Sequence, residues 1–391
     1  MLKNLLFILS VGFGVNIFAQ TTRPYTSWVD SMDNYARNSF LPASQYQWTW
    51  QNASLLNVMV KQYEYGTPEQ KKIYLDYIKR AMDKTAGVAN GRKPNNVASG
   101  LGMAFLYRIT KDEKYKAKCD KIYNDFLKTR RTDEGAISHI PLFTELWDDT
   151  VFMIGEFLLA MYKATGDEKY LDELVKQISL HRDKLQVKEW GLWVHGWDKN
   201  DWGHCMFCSQ IHWSDEQTHR SPEIWGRGNG WIFVTLSDAL EVVPRSNPHW
   251  NTLAEYLKEM VVHLPELQDM KTGHWYQLPV RNTEAENFIE SSCTAMFAYG
   301  INSALRLALV ADERYQKSVQ MAYDGLRNYS IVHLKEGNLT PKNVCTATCI
   351  GNKKYYFKRA VQQGKAYGLA SFIQFGLTYE IDKGYRTKFI K

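Results

Sequence analysis

Cysteine is scarce in this chain, with six in 391 residues. That is too few for disulfides to act as the scaffold of a protein this size. Runs of like charge are missing too: the formal charge of +6 is spread along the chain. This excludes the basic stripe of a nucleic-acid binder and leaves room for a polyanionic sugar. Beyond the first residues there is no uninterrupted apolar stretch of the roughly 18 residues a membrane helix needs, so membrane insertion is not expected. Strand signals are few. The glycine-rich segment from Gly226 to Gly230 lacks the Gly-Lys-Ser/Thr ending and the preceding β-branched strand of a phosphate loop, which excludes a nucleotide site.

What the chain does have begins with Lys3, an apolar run from Leu5 to Phe18, and Ala19 before Gln20. Residues 1–20 therefore read as a cleavable secretory signal. The expectation is an exported protein, periplasmic or secreted, whose residues 21–391 form one domain. Thirteen Trp and 23 Tyr exceed what a core requires. A sugar-binding cleft accounts for such a surplus, and a large helical core accounts for it equally.

One phrase repeats. The segments Leu106 to Tyr115, Met161 to Tyr170 and Leu309 to Tyr315 each carry Asp-Glu-Lys/Arg-Tyr after an apolar helical run and before an amphipathic one. Looser versions occur around Pro68 and between Pro244 and Pro248. Each reads as a helix, a tight turn whose Asp or Thr caps the next helix, and a second helix with Glu in its first turn. A period of about 50 residues in a helical chain marks an array of hairpins. Five such turns, with Ala366 to Glu380 as a closing helix, give six hairpins. An array without polar capping repeats closes on itself. The expected fold is all-α, an (α/α)6 barrel whose inner helices line one cavity, with function gathered in the loops at one mouth.

Those loops hold Trp48, Trp50, Asn95, Asn96, His139, Trp147, Asp148, Asp149, His195 and Cys293, along with the segment Trp225-Gly-Arg227-Gly-Asn-Gly-Trp231. Taken singly, each has a plain structural account, such as Asp148 as the N-cap of a helix from Thr150 to Thr165. Together they describe a polar pocket walled by indoles. A guanidinium set between two indoles suits an acidic sugar, because ring stacking and bidentate pairing with a carboxylate are the two forces a uronate satisfies at once.

The series Trp147-Asp-Asp149-Thr-Val-Phe-Met153, His195-Gly-Trp197-Asp, Trp225 to Trp231, Glu290 to Tyr299 and Gly351 to Tyr356 resembles the motif series of glycoside hydrolase family 105, the unsaturated rhamnogalacturonyl and glucuronyl hydrolases. The resemblance runs from about Trp48 to Tyr379. It implies an (α/α)6 barrel acting on oligosaccharides that end in a 4,5-unsaturated uronate, with no metal or cofactor. It places the proton-donating role on Asp149. It implies substrate contacts for Arg227, Trp225 and Trp231, and for His195 and His139. Where the family commonly has a second aspartate, this chain reads Asn95-Asn96, and an amide cannot act as a base. Asp149 is then the sole acid and base. A second implication concerns the leaving sugar: Lys353 and Lys354 would tolerate a sulfated neighbour of the ulvan type, while a pectin-derived rhamnogalacturonan is the commoner family substrate. The insertion around His204 to His219 would shape its subsite. A non-catalytic sugar-binding toroid and a barrel glycosidase of other specificity are the rival readings. The expected oligomeric state is a monomer or weak homodimer.

Cys205/Cys208 and Cys345/Cys349 are close pairs that should meet at the mouth. Two local disulfides, one zinc site and free thiols remain open.

Overall fold

The computed structural model describes residues 27–199 and 212–389. Twelve helices of eight or more residues occur among them, and they alternate between two concentric rings. The outer ring holds α1 (Trp28–Tyr35), α3 (Pro68–Thr85), α5 (Glu113–Leu127), α7 (Glu168–Leu185), α9 (Pro248–Val261) and α11 (Glu313–Tyr329). The inner ring holds α2 (Trp50–Tyr65), α4 (Gly100–Thr110), α6 (Thr150–Thr165), α8 (Gly226–Val242), α10 (Ser291–Arg306) and α12 (Ala366–Asp382). Each inner helix packs on the next and α12 packs on α2, so the ring closes as the expected (α/α)6 barrel.

The two rings differ because their residues do. α11 buries Tyr315, Ser318, Val319, Ala322, Tyr323 and Leu326, the spacing of a single apolar stripe facing inward. α8 is buried on every side from Gly226 to Leu240, as a helix enclosed by other helices must be. The repeated turns act as anticipated. Asp112, Asp167 and Asp312 accept from the backbone N–H of Lys114, Lys169 and Arg314, and Thr67 forms a reciprocal capping box with Gln70. Each such cap stabilises its helix by about 1 kcal/mol.

The sixth outer helix comes from the other end of the chain. α12 has no outer partner after it; α1 packs against it, and the Ser27 hydroxyl donates to Glu380 at 2.7 Å. Among the described residues, strands occur as three two-stranded antiparallel pairs. One matters for the site: β1 (Glu145–Trp147) pairs with β2 (Gly196–Asp198), with Trp147 opposite Gly196. All inner helices start at the same mouth.

Candidate active site

The β1–β2 ladder delivers the polar residues to that mouth. β1 runs directly into Asp148, Asp149 and α6, and the Asp148 N–H donates to the His195 carbonyl at 2.9 Å, one step beyond the ladder. The His139 N–H donates to the Glu145 carbonyl at 2.7 Å. His139 then stacks flat on Trp147, with centroids 4.5 Å apart and planes within 5°. Its Nδ1 lies 2.8 Å from Thr150 Oγ1 and 3.5 Å from Asp149 Oδ1. Burial, with Lys93 adding to it, pushes the His139 pKa down to about 3, so the ring is neutral.

Asp149 is the N-cap residue of α6, yet its side chain makes no capping bond. Nor does Asp148 cap this helix as the sequence suggested: its carboxyl is turned away, and both its oxygens are buried without a hydrogen-bond partner. The Asp149 side chain is 13 % exposed, and its buried Oδ1 has no hydrogen-bond partner. Desolvation drives its pKa up to about 7 even though the Arg227 charge pulls the other way. Burial outweighs the helix N-terminus, which by itself would favour the ionised form. The result is a carboxyl that holds and releases a proton near neutrality.

His195 is fully buried against Trp225, with ring centroids 4.4 Å apart, and its Nδ1 is 2.7 Å from the Tyr356 hydroxyl. Arg227 is also fully buried, but not where the motif suggested. The expected guanidinium between Trp225 and Trp231 is instead held between Trp225 and Tyr367, 4.7 and 4.6 Å from their centroids. Helix geometry explains the difference. Trp231 lies four residues on from Arg227 in α8 and sinks into the core, edge-on to Trp50 and beside Phe152. Tyr367 reaches the same spot from α12 and stacks in turn on Trp50 at 5.3 Å. Arg227 Nη1 and Nη2 donate to the Cys345 and Thr346 carbonyls at 2.9 and 2.8 Å, and Glu290 lies 3.5 Å away. Only Nε lacks a partner. Arg227 is thus a tether and a fixed positive charge near Asp149, with one edge left to meet an anion.

Trp48, Asn95 and Asn96 form a neighbouring wall. Trp48 Nε1 donates to the Asn96 carbonyl at 2.8 Å, and the short helix Pro94–Val97 packs on α6. Asn96 Nδ2 is taken by Asn90 at 2.7 Å, whereas Asn95 Oδ1 is buried without a partner. The mouth lysine Lys353 is ion-paired with Glu284 at 2.8 Å. Cys345 is a free thiol accepting from Gln277 Nε2 at 3.2 Å, while Cys349 is disulfide-bonded, so the local Cys345/Cys349 pairing does not form. Cys205, Cys208 and His204, like residues 1–20 with the expected secretory signal, lie outside the described residues. Sequence reasoning missed Tyr356 and Tyr367 as members of the site. Tyr356 had a signal, since it ends one of the quoted motifs; Tyr367, at the start of an apolar helix, had none.

A closed (α/α)6 barrel with a carboxyl of near-neutral pKa in an indole-walled mouth is an arrangement suited to glycoside hydrolysis. Residues 23–381 match Glycosyl Hydrolase Family 88, and the chain belongs to that family. It is similar to the unsaturated rhamnogalacturonyl hydrolase YesR of Bacillus subtilis (strain 168), 26% identical over 337 residues that span 83% of this chain and 88% of that protein. It is also similar to an unsaturated 3S-rhamnoglycuronyl hydrolase of Alteromonas sp. (strain LOR), 24% identical over 180 residues, 46% of this chain and 40% of that protein. A glycoside hydrolase from family 105 of C. acetobutylicum ATCC 824 shares the fold, with a TM-score of 0.79 at 24% identity over 91% of this chain and 99% of that one. The resemblance to family 105 read from the motifs agrees with that likeness.

Proposed function

We propose that this chain removes a 4,5-unsaturated uronate from the non-reducing end of oligosaccharides left by polysaccharide lyases, by hydrating the enol ether, with Asp149 as the proton donor. The observation that carries the reading is Asp149 itself: mostly buried, with an unpartnered oxygen, and held protonated up to about pH 7. An ordinary glycosidase needs two carboxyls at a defined separation across the scissile bond. Hydration needs one. Asp149 protonates C4, the positive charge develops at C5, and water adds there while its proton passes to the Asp149 carboxylate. The hemiketal so formed opens and releases the neighbouring sugar. The fixed charge of Arg227 and the neutral ring of His139 flank this proton transfer without competing for the proton.

The leaving sugar in this reading is rhamnose, the element common to the names of the Bacillus and Alteromonas relatives. Both a rhamnogalacturonan fragment and an ulvan-type fragment with sulfated rhamnose fit a mildly cationic chain. With Lys353 paired, the cations left to meet a sulfate include exposed Lys93 and Lys354. The leader at 1–20 supports export to the periplasm or beyond, checked by the N-terminal sequence of the mature protein. The reaction is tested by following the enol-ether absorbance after mixing the protein with lyase digests of each polysaccharide. The reading expects that absorbance to decay with at least one of them. Persistence of the band with both, alongside measurable binding, would leave a sugar-binding barrel without catalysis.

A further inference from the structure

The chemistry above makes no use of Asp148, yet its carboxyl is fully buried at the mouth. Its side chain and that of His195 are both 0% exposed, with Oδ1 3.9 Å from Nε2. Neither Asp148 oxygen has a hydrogen-bond partner, and His195 Nε2 has none either. The surroundings fix both groups. The Asp148 N–H is bonded to the His195 carbonyl. Its carboxyl fills the notch left by Gly228 in the first turn of α8, where an added Cβ would lie 2.1 Å from Oδ2. On the far side of the imidazole, Nδ1 meets the Tyr356 hydroxyl at 2.7 Å, while Trp225 and Trp147 pack against the ring.

We propose that Asp148 is a positioning residue that keeps its proton and turns it toward His195 Nε2 across 3.9 Å, biasing the imidazole toward the Nδ1–H tautomer that donates to Tyr356. The alternative with the same number of protons is a carboxylate–imidazolium pair. Two charges stripped of water and separated by 3.9 Å do not recover their desolvation cost, and the neighbouring backbone N–H groups only partly offset it. The groups facing the pair agree. Asp149 adjoins Asp148 on the chain and opposes a second negative charge, and burial holds the Asp148 carboxyl well above its usual range. Burial lowers the His195 pKa, and His139 and Arg227 lower it further. Tyr356, with Glu223 and Tyr355 beyond it, stays a neutral phenol. A neutral Asp148 leaves Asp149 as the carboxyl that changes charge during turnover. That functional consequence rests on the reading of Asp149 as the acid; the proton's location on Asp148 does not.

Nitrogen-15 NMR of histidine-labelled protein reads the tautomer without any substrate. The expected His195 signals are those of a neutral ring protonated at Nδ1 that does not titrate between about pH 5 and 8. Asp148→Asn still offers a donor to Nε2, so it should retain that tautomer and most of the rate. Asp148→Val removes the donor. It should give mixed tautomers and a kcat lowered by about three- to tenfold, the size of a weak polar contact, with KM within about twofold. An imidazolium signal in the unaltered protein overturns the proposal. So does equal loss in Asn and Val variants. If Asp148 carried charge, Asp148→Asn would also draw the alkaline limb of the rate profile down by about one pH unit, and an unmoved limb is expected. Should the Val variant fail to fold, the first two readouts still decide. Lower melting temperatures with an unchanged tautomer in Asp148→Val would reduce Asp148 to packing.

Discussion

The two ends of the barrel treat buried charge in opposite ways. At the end where the inner helices finish, Lys61 sits 2.6 Å from Asp238 and 3.1 Å from Glu241. Asp238 is bonded further by Asn57, Tyr299 and Gln374, and Glu64 is shared by Arg108 and Lys163. A cavity of about 650 Å³ opens there, large enough for a sugar, and nearly all its charges are engaged with one another; the exception is the buried Glu156, whose Oε1 has no partner and whose carboxyl burial holds well above its usual range. At the other end, Asp148, Asp149, His195, Arg227 Nε and Asn95 keep buried atoms without partners. Satisfied charge holds a fold together, whereas charge left unsatisfied costs stability and is available for chemistry.

The sharpest way to break this contrast is Asp149→Asn. Turnover should fall by at least about 100-fold, because general acid catalysis contributes roughly 10²–10⁴-fold. Binding of the unsaturated oligosaccharide, followed by calorimetry, should survive. A variant keeping most of its rate would move the acid elsewhere and leave the mouth's unpaired groups unexplained.

At the opposite end the expected loss is in stability. Lys61→Met removes the charge partner of the buried Asp238 and should lower the unfolding free energy by about 3–5 kcal/mol in a denaturant titration. Its kcat should stay within a few-fold of the original under conditions where it remains folded. A large kcat loss with intact stability would reverse the assignment of the two ends.

Asp149→Asn should also do what a far-end substitution cannot, namely stabilise the fold. The Asp149 pKa is about 7 in the folded chain against 3.8 for an ordinary aspartate. Below the unfolded pKa both states are protonated and nothing changes. Between the two values the unfolded carboxyl ionises while the folded one does not, so stability falls as pH rises, and the full cost is present above about pH 7. The Asn variant escapes this cost. At pH 8 it should be more stable by on the order of 1–3 kcal/mol, and at pH 3 equal, in paired melting curves.

The smallest expected effect concerns Arg227, whose charge holds the Asp149 pKa below where burial alone would set it. Arg227→Gln should raise KM and move the alkaline limb of the rate profile upward by roughly half a unit to one unit. A downward shift would contradict the sign of that coupling.

Most of the barrel was legible because local chemistry marks it: Asp112, Asp167 and Asp312 punctuate the hairpins, and inner and outer helices differ in how far round they are apolar. α1 escaped because it has eight residues, lacks the repeated turn, and finds its place only by packing on the other end of the chain. Within the site, Asp149 and His195 were legible from their motifs, and His139 from its place in a mouth loop. The partner of Arg227 was not, because Tyr367 is 140 positions away and nothing in the first turn of α12 distinguishes it from a core residue. The two close pairs of cysteines left local disulfides, a zinc site and free thiols open, and Gln277 and Thr348 hold Cys345 as a thiol. Long-range proximity of this kind has no local signal.

The pH dependence of kcat on an unsaturated uronyl-rhamnose oligosaccharide tests the central claim most directly. A single buried acid that must be protonated predicts a rate that is level at low pH and falls tenfold per unit above about pH 7, with that limb carried by Asp149. A rate that climbs through pH 7, or stays level to pH 9, would mean that the carboxyl left unpaired at the mouth is not the acid.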